Sequence, residues 1–263
     1  MKNYLLVSQT FSLFGLEISY YGFIIAMAML LGVLCAIFIV KKKKIKSDMP
    51  INLALYALPL AIIGARIYYC IFNGVNDFWQ IFRIWEGGMA IYGGVIGGFL
   101  GVLLCCKIHK YSLLQACDIA SPCLILGQAV GRIGCYFAGC CYGIETTNPA
   151  LMVFPISVQI NSVWHLATFF YESFFDFLGF ILLMVIILKT DKKGVVLSGY
   201  LITYGTIRAI LEYFRDPAES LTIGATGIRV SLMLSIILVI FGIILLFVLL
   251  NKKDKSNEQL QNS

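Results

Sequence analysis

The sequence predicts an all-α integral membrane protein of about seven transmembrane helices, N-terminus outside and C-terminus cytoplasmic. Three observations carry this. Hydrophobic residues make up 60% of the 263 and charged residues only 13%, about half the charged share of an ordinary soluble domain. The apolar residues fall in runs close to the ~20 residues that cross a hydrocarbon layer as a helix. The runs are continuous, without period-two alternation, and in lipid only helices and closed barrels satisfy their own backbone.

The first span reads as Leu16–Val40 and stops at Lys41–Lys44. Its apolar run is too long for a cleaved leader and ends in lysines rather than small residues, so it is expected to be retained. Ile51–Phe72, Gly88–Cys106, Leu113–Val130, His165–Leu188, Val195–Tyr213 and Val230–Leu250 follow. Gly93, Gly94, Gly97, Gly98 and Gly101 give the third span overlapping small-residue spacings, the pattern of a face that admits another helix closely. No long repeat or linker divides the chain. It reads as one polytopic domain over 1–263 with a polar tail, 251–263, expected to be disordered.

Orientation follows from lysine. With the N-terminus outside, Lys41–Lys44 and Lys46, Lys107 and Lys110, Lys189, Lys192 and Lys193, and Lys252, Lys253 and Lys255 all fall on the cytoplasmic side, leaving only Lys2 elsewhere. The formal charge of +6 is thereby explained at a membrane surface, and no nucleic-acid partner is implied.

Arginine is distributed differently. Arg66, Arg83, Arg132, Arg208, Arg215 and Arg229 all lie in spans or on the outer side. A planar, permanently charged fork suits phosphate or carboxylate, so an anionic ligand is expected there. Ion pairing with Asp118, Glu172, Asp176 and Glu212 is the structural alternative.

Four segments carry the candidate chemistry. Gly131–Gly143 surrounds Arg132 with glycines just after the fourth span. Tyr204, Arg208, Glu212 and Arg215 are spaced four, four and three apart, which places them on one helical face, with Glu212 able to pair with both arginines. Tyr171 and Glu172 precede Asp176, and two carboxylates one turn apart need a cation or a shared proton. Trp85–Gly94 runs from an outer loop into a span.

In this order the segments resemble the prolipoprotein diacylglyceryl transferase family. Tyr20-Tyr21-Gly22 is similar to its first-span motif and Gly64-Ala65-Arg66-Ile67-Tyr68-Tyr69 to its second. Trp85–Gly94, Asp118 with Pro122, the Gly131–Gly143 frame, Tyr171-Glu172-Ser173, and Tyr204-Gly205 with Arg208, Glu212, Arg215 and Asp216-Pro217 match in turn. The departures are specific: Cys135 and Ala138 stand for asparagines, Cys140 for a glutamate and Tyr92 for a histidine, and Ala167-Thr168-Phe169 lacks the usual proline and glutamine.

The resemblance implies transfer of a diacylglyceryl group from phosphatidylglycerol to the cysteine thiol of a prolipoprotein signal peptide, in a bacterial cytoplasmic membrane. The implied partners are phosphatidylglycerol, prolipoprotein signal peptides and membrane lipids. A thioether-forming step needs a thiolate and stabilisation of departing glycerol phosphate. Arg132 and Arg208 are the expected phosphate clamp, Glu212 the group that orients Arg208, and Glu172 or Tyr92 the base, with packing or hydrogen bonding the alternative role for Tyr92. Tyr21, Arg66, Gly131, Gly134, Cys135, Cys140, Tyr171, Glu172, Tyr204 and Arg215 are the expected substrate-binding set. Alternatives are a paralogue that serves another acceptor, a lipid-binding or transport protein that keeps the arginine site, or a thiol–quinone oxidoreductase.

Of the nine cysteines, Cys35, Cys70, Cys105, Cys106, Cys117 and Cys123 read as packing residues. Cys135, Cys140 and Cys141 cluster at the site, where a disulfide is possible. With only His109 and His165 in the chain, zinc is not expected there. No cofactor or metal is expected.

Overall fold

The computed structural model describes residues 10–13, 16–74, 79, 88–217, 222, 227 and 229–251. Arg83, the Trp85-Glu86-Gly87 part of the tryptophan segment and the tail beyond Asn251 lie outside the described residues. In chain order the elements are β1 (Thr10–Leu13), β2 (Leu16–Ser19), α1 (Tyr20–Lys42), α2 (Met49–Phe72), α3 (Ile91–His109), α4 (Leu113–Ala138), a 3-10 turn (Pro149–Leu151), β3 (Ser157–Ile160), β4 (Val163–Leu166), α5 (Thr168–Lys189), α6 (Val195–Glu212) and α7 (Val230–Asn251).

The protein is an α-helical integral membrane protein. Among the described residues six helices, α1 to α5 and α7, are long and apolar enough to cross a membrane. The seventh expected span is present as α6, an 18-residue helix that carries Arg208 and Glu212. Polarity is arranged as lipid requires. Ile236, Ile237, Ile240, Phe241, Ile243 and Ile244 of α7 are exposed, whereas Asp118, Glu172, Asp176, Ser198, Arg208, Glu212 and Ser235 are buried.

Three of the boundaries that differ from those expected bear on the fold. The first span begins at Tyr20, because Leu16–Ser19 pairs with Thr10–Leu13 as an antiparallel hairpin. A second hairpin, Ser157–Ile160 with Val163–Leu166, takes up His165, which hydropathy alone puts at the start of a span. Both hairpins pair backbone groups that no helix serves. Finally, the fourth span does not stop at Val130. The helix runs on through the glycine–arginine segment to Ala138 and ends where Gly139 takes φ +62°. Gly131 and Gly134 are tolerated in it because each faces α1, where an added Cβ would lie 3.3 Å from Ile25 and 3.1 Å from the Tyr21 ring.

The chain forms two compact units: Ala36–Ala120, and Met1–Cys35 with Ser121–Ser263. In the first, α2 and α3 meet backbone to backbone through the expected glycine face. A Cβ on Gly64 would lie 2.5 Å from the Gly93 carbonyl oxygen, and one on Gly101 would lie 2.5 Å from that of Tyr56. At one end of this unit Tyr111 donates to Asp48 at 2.8 Å, Asn52 donates to Tyr111 at 3.0 Å, and the Lys46 ammonium lies 5.6 Å from the Tyr111 ring centroid. Burial of its phenol pushes the Tyr111 pKa up. The Tyr111 hydrogen bond holds Asp48 below the usual carboxylate range.

In the second unit, Gly205 of α6 faces Ser235 of α7, where a Cβ would lie 2.9 Å from the serine carbonyl oxygen. Gly242 returns the contact against Leu201 and Ser198. Gly179 of α5 faces Thr203 of α6. Close packing of α5, α6 and α7 is therefore set by small residues, as expected where lipid gives no hydrophobic drive between helices.

Candidate functional site

The site forms where α4 ends, α5 begins and α6 ends, all in the second unit. Arg132 stands two turns before the end of α4, Glu172 in the second turn of α5, and Arg208 and Glu212 in the last turns of α6. Arg132 Nη2 donates to Glu172 Oε1 at 2.7 Å and Arg208 Nη1 to Glu172 Oε2 at 3.4 Å. One carboxylate therefore receives two guanidinium groups, one on each oxygen. Arg208 Nη2 also pairs with Glu212 Oε2 at 2.8 Å. The Arg229 guanidinium donates to the Glu212 carbonyl at the end of the same helix, where the unpaired carbonyls and the helix dipole favour a cation.

Burial makes these pairs consequential. The side chains of Glu172 and Glu212 are 4% and 1% exposed and that of Arg208 is 11% exposed, while Arg132 keeps 18%. In a low-dielectric interior each charge depends on its partner. Asp176, fully buried one turn beyond Glu172, presents two carboxyl oxygens that meet no donor among the described residues.

Arg215 departs from the expected stripe. Helix α6 ends at Glu212, so Arg215 is no longer on its face, and its Nη2 donates to Cys141 Sγ at 3.5 Å. Arg132 Nη1 donates to the same sulfur at 3.3 Å. Backbone pairing brings the groups together: Gly143 bridges Arg215, the Ile144 amide donates to Phe214 at 2.9 Å, and Thr168 Oγ1 donates to the Cys141 carbonyl at 2.9 Å. Cys141 sits at φ +60°, a left-handed position rarely taken by a residue with a Cβ. Hydrogen bonds from the Cys135 and Cys140 thiols, and then the charges of Arg132 and Arg215, hold the Cys141 thiol well below the usual thiol range. Cys140, donating to both neighbours, is pushed up.

Of the expected site residues, Arg132, Arg208, Glu212, Glu172 and Arg215 are joined by the bonds just described, and Cys135 and Cys140 flank Cys141. Gly134 lies against the ring of Tyr21, itself 42% exposed. Tyr204 stacks on Tyr200 at 5.8 Å between centroids, and Tyr200 accepts from Gln128 at 3.1 Å. Tyr171 spends its hydroxyl on the Ile156 carbonyl. Arg66 and Tyr92 belong to the first unit. There Arg66 Nη1 donates to the Gly88 carbonyl at 3.0 Å over the Tyr69 ring, and Tyr92 lies 6.2 Å from Tyr68 between ring centroids. The expected substrate-binding set names Cys135 and Cys140; Cys141, expected only to cluster with them, is the sulfur that meets both arginines. The run Cys140-Cys141 offers two adjacent thiols, and only the turn after Ala138 decides between them.

Residues 8–248 match the family model for prolipoprotein diacylglyceryl transferase. The chain belongs to this family. It is 36% identical to phosphatidylglycerol–prolipoprotein diacylglyceryl transferase 1 of Clostridium perfringens over 94% of this chain and 96% of that one. It is 38% identical to the enzyme of that name from Finegoldia magna, over 95% of this chain and 98% of the relative. For the Clostridium botulinum (strain Langeland) protein of that name the identity is 36% over 92% and 96%. The matched region contains every residue of the arginine–carboxylate cluster.

Proposed function

We propose that the chain is a phosphatidylglycerol–prolipoprotein diacylglyceryl transferase of the bacterial cytoplasmic membrane, with its site at the outer face. The acceptor thiolate of a lipobox cysteine attacks the diacylglyceryl carbon that bears the phosphate. A carbon–sulfur bond forms, the carbon–oxygen bond to phosphate breaks, and glycerol phosphate leaves with the electron pair. The thiol proton passes to a base.

The observation that carries this reading is the single buried carboxylate, Glu172, held between Arg132 and Arg208. Two guanidinium groups fixed from different helices, one of them still partly open, present donors to a phosphate whose charge grows as the bond breaks. Glu212 fixes the fork of Arg208 from the helix that carries it. Tyr21, Tyr204 and Arg215 belong to the same unit as the cluster and serve as substrate-positioning groups, and Gly131 and Gly134 let α4 lie close to α1. Glu172 has both oxygens engaged by guanidinium groups, which counts against it as the base.

Transfer of labelled diacylglyceryl from phosphatidylglycerol to a lipobox peptide tests the reading. Loss of transfer in Arg132→Gln and Arg208→Gln, with the folded proteins still present, supports it. Lipid retained but never transferred by the unsubstituted chain would instead make it a lipid-binding protein.

A further inference from the structure

Around Cys141 lies a second constellation that diacylglyceryl transfer does not require. The Sγ atoms of Cys135, Cys140 and Cys141 all lie within 4.8 Å of one another, and none of the three is in a disulfide. We propose that these three sulfurs form a trigonal thiolate site for a soft monovalent metal ion of the cuprous type.

The convergence is built by the backbone. Helix α4 ends at Ala138, Gly139 turns at φ +62° and Cys141 at φ +60°. The Cys140 amide then donates back to the Cys135 carbonyl at 3.2 Å, so the two later sulfurs fold over the first. Three sulfurs each about 2.3 Å from one ion stand about 4 Å apart. The observed spacing, within 4.8 Å for every pair, is close to that.

The chemistry of the donors selects the ion. Thiolates favour soft ions such as cuprous copper and zinc, whereas hard ions need oxygen. A structural zinc takes four ligands. The three sulfurs are the full set of His, Cys and carboxylate donors gathered here among the described residues. A soft monovalent ion is content with three sulfurs, which removes the need for a histidine. Charge agrees. Three thiolates around one monovalent ion carry a net charge of minus two, and the Arg132 and Arg215 guanidiniums at 3.3 and 3.5 Å from Cys141 Sγ offset it. Hydrogen bonds of this kind to a ligating sulfur are what tune a metal–thiolate site.

The surroundings fit as well. Cys135 packs with Val158, Ile160, Ala167 and Phe169, and Cys140 and Cys141 lie against that cluster. An apolar jacket excludes the waters that a hard ion would retain. Cys140 and Cys141 keep partial exposure, which gives an ion a way in. On binding, the thiol protons pass to solvent and no electron is transferred.

The test uses the full chain in lipid nanodiscs, reduced and free of oxygen, with cuprous ion offered from a coloured cuprous chelator. The expected result is one ion taken per chain. Uptake should weaken at least tenfold in Cys135→Ser and in Cys140→Ser, and be unchanged in Cys70→Ser and Cys117→Ser. Because a serine at 135 could disturb packing, the unsubstituted chain is also alkylated with and without the ion and its peptides are weighed. The ion should protect Cys135, Cys140 and Cys141 and leave the other reactive cysteines unprotected. The proposal is overturned if the chelator keeps its copper, if Cys140→Ser binds as tightly as the unsubstituted chain, or if zinc binds the three sulfurs more tightly than cuprous ion. These readouts need no transferase activity, so their failure leaves the proposed function standing.

Discussion

Arg215 Nη2 lies 3.5 Å from Cys141 Sγ although 74 residues separate the two in the chain. The same sulfur receives Arg132 Nη1 from the last turns of α4, nine residues before it. Removing the sulfur should therefore loosen two guanidinium groups at once. Cys141→Ala is expected to destabilise the protein by about 1–3 kcal/mol, the usual cost of a lost hydrogen bond to a charged group. Thermal unfolding in detergent, with Cys70→Ala as the comparison, measures it. Equal melting temperatures for Cys141→Ala and the unsubstituted protein would show that the sulfur does not hold the arginines.

Glu172 and Asp176 sit one turn apart on α5 and should respond in opposite ways. Glu172 holds Arg132 and Arg208, so Glu172→Gln strips both of a charged partner and is expected to cost roughly 3–5 kcal/mol. Asp176 is buried without a donor to either oxygen among the described residues. Asp176→Asn is expected to leave stability equal or higher, because an unpartnered buried carboxyl contributes cost rather than support. Melting temperatures of the two variants, prepared side by side, decide the contrast.

For the proposed reaction, Arg208→Lys keeps the charge but loses the fork that reaches Glu172 and Glu212 together. Turnover is expected to fall by about 10²–10³, the range for losing one fixed donor to developing charge, with a smaller change in KM. Glu212→Gln should fall less, because it acts through Arg208. Steady-state kinetics with phosphatidylglycerol vesicles would separate the two, and a change confined to KM in Arg208→Lys would count against a role in bond breaking.

The glycine face of α2 and α3 gives a packing prediction. A side chain at Gly97 would run into the backbone around Leu60, so Gly97→Val must push the helices apart. A loss of about 1–3 kcal/mol is expected from overpacking. At Gly127 of α4 a methyl group would meet nothing within 4 Å, so Gly127→Ala should be neutral or stabilising. Yield of folded protein and melting temperature read both.

The Asp48–Tyr111 bond makes a pH prediction. The Asp48 pKa is depressed in the folded protein. Its contribution is therefore full above the unfolded carboxylate value, about 3.9, and is lost as pH falls through the folded one. Tyr111→Phe removes the donor, so its melting temperature should lie below that of the unsubstituted protein at pH 7. The gap should narrow once pH drops below about 4. A gap constant across that range would mean that the phenol acts through packing alone.

Some of the site is legible in the sequence. Arg208 and Glu212 are four residues apart, and helical periodicity alone puts them in contact. The pairing of Arg132 with Glu172, forty residues away, is one of several partnerships open to either residue. Arg215 reads as the next residue of the α6 stripe because a three-residue offset fits a helix. The structure ends that helix first and turns the side chain to a sulfur.

What the sequence determined by itself was everything that depends on local composition. Long apolar runs must be helices in lipid, because the backbone has no other partner there. The glycine spacing of α3 must admit a neighbouring backbone, because nothing else fills the space. The tertiary structure decided where those helices stop and which charges meet. Helix α4 carries Arg132 on to Ala138 because Gly131 and Gly134 pack against α1. The hairpin at Ser157–Leu166 and the bridge from Gly143 to Arg215 then fix Cys141 among the arginines. Those are contacts between distant segments, and their energies exist only once the chain has brought the partners together.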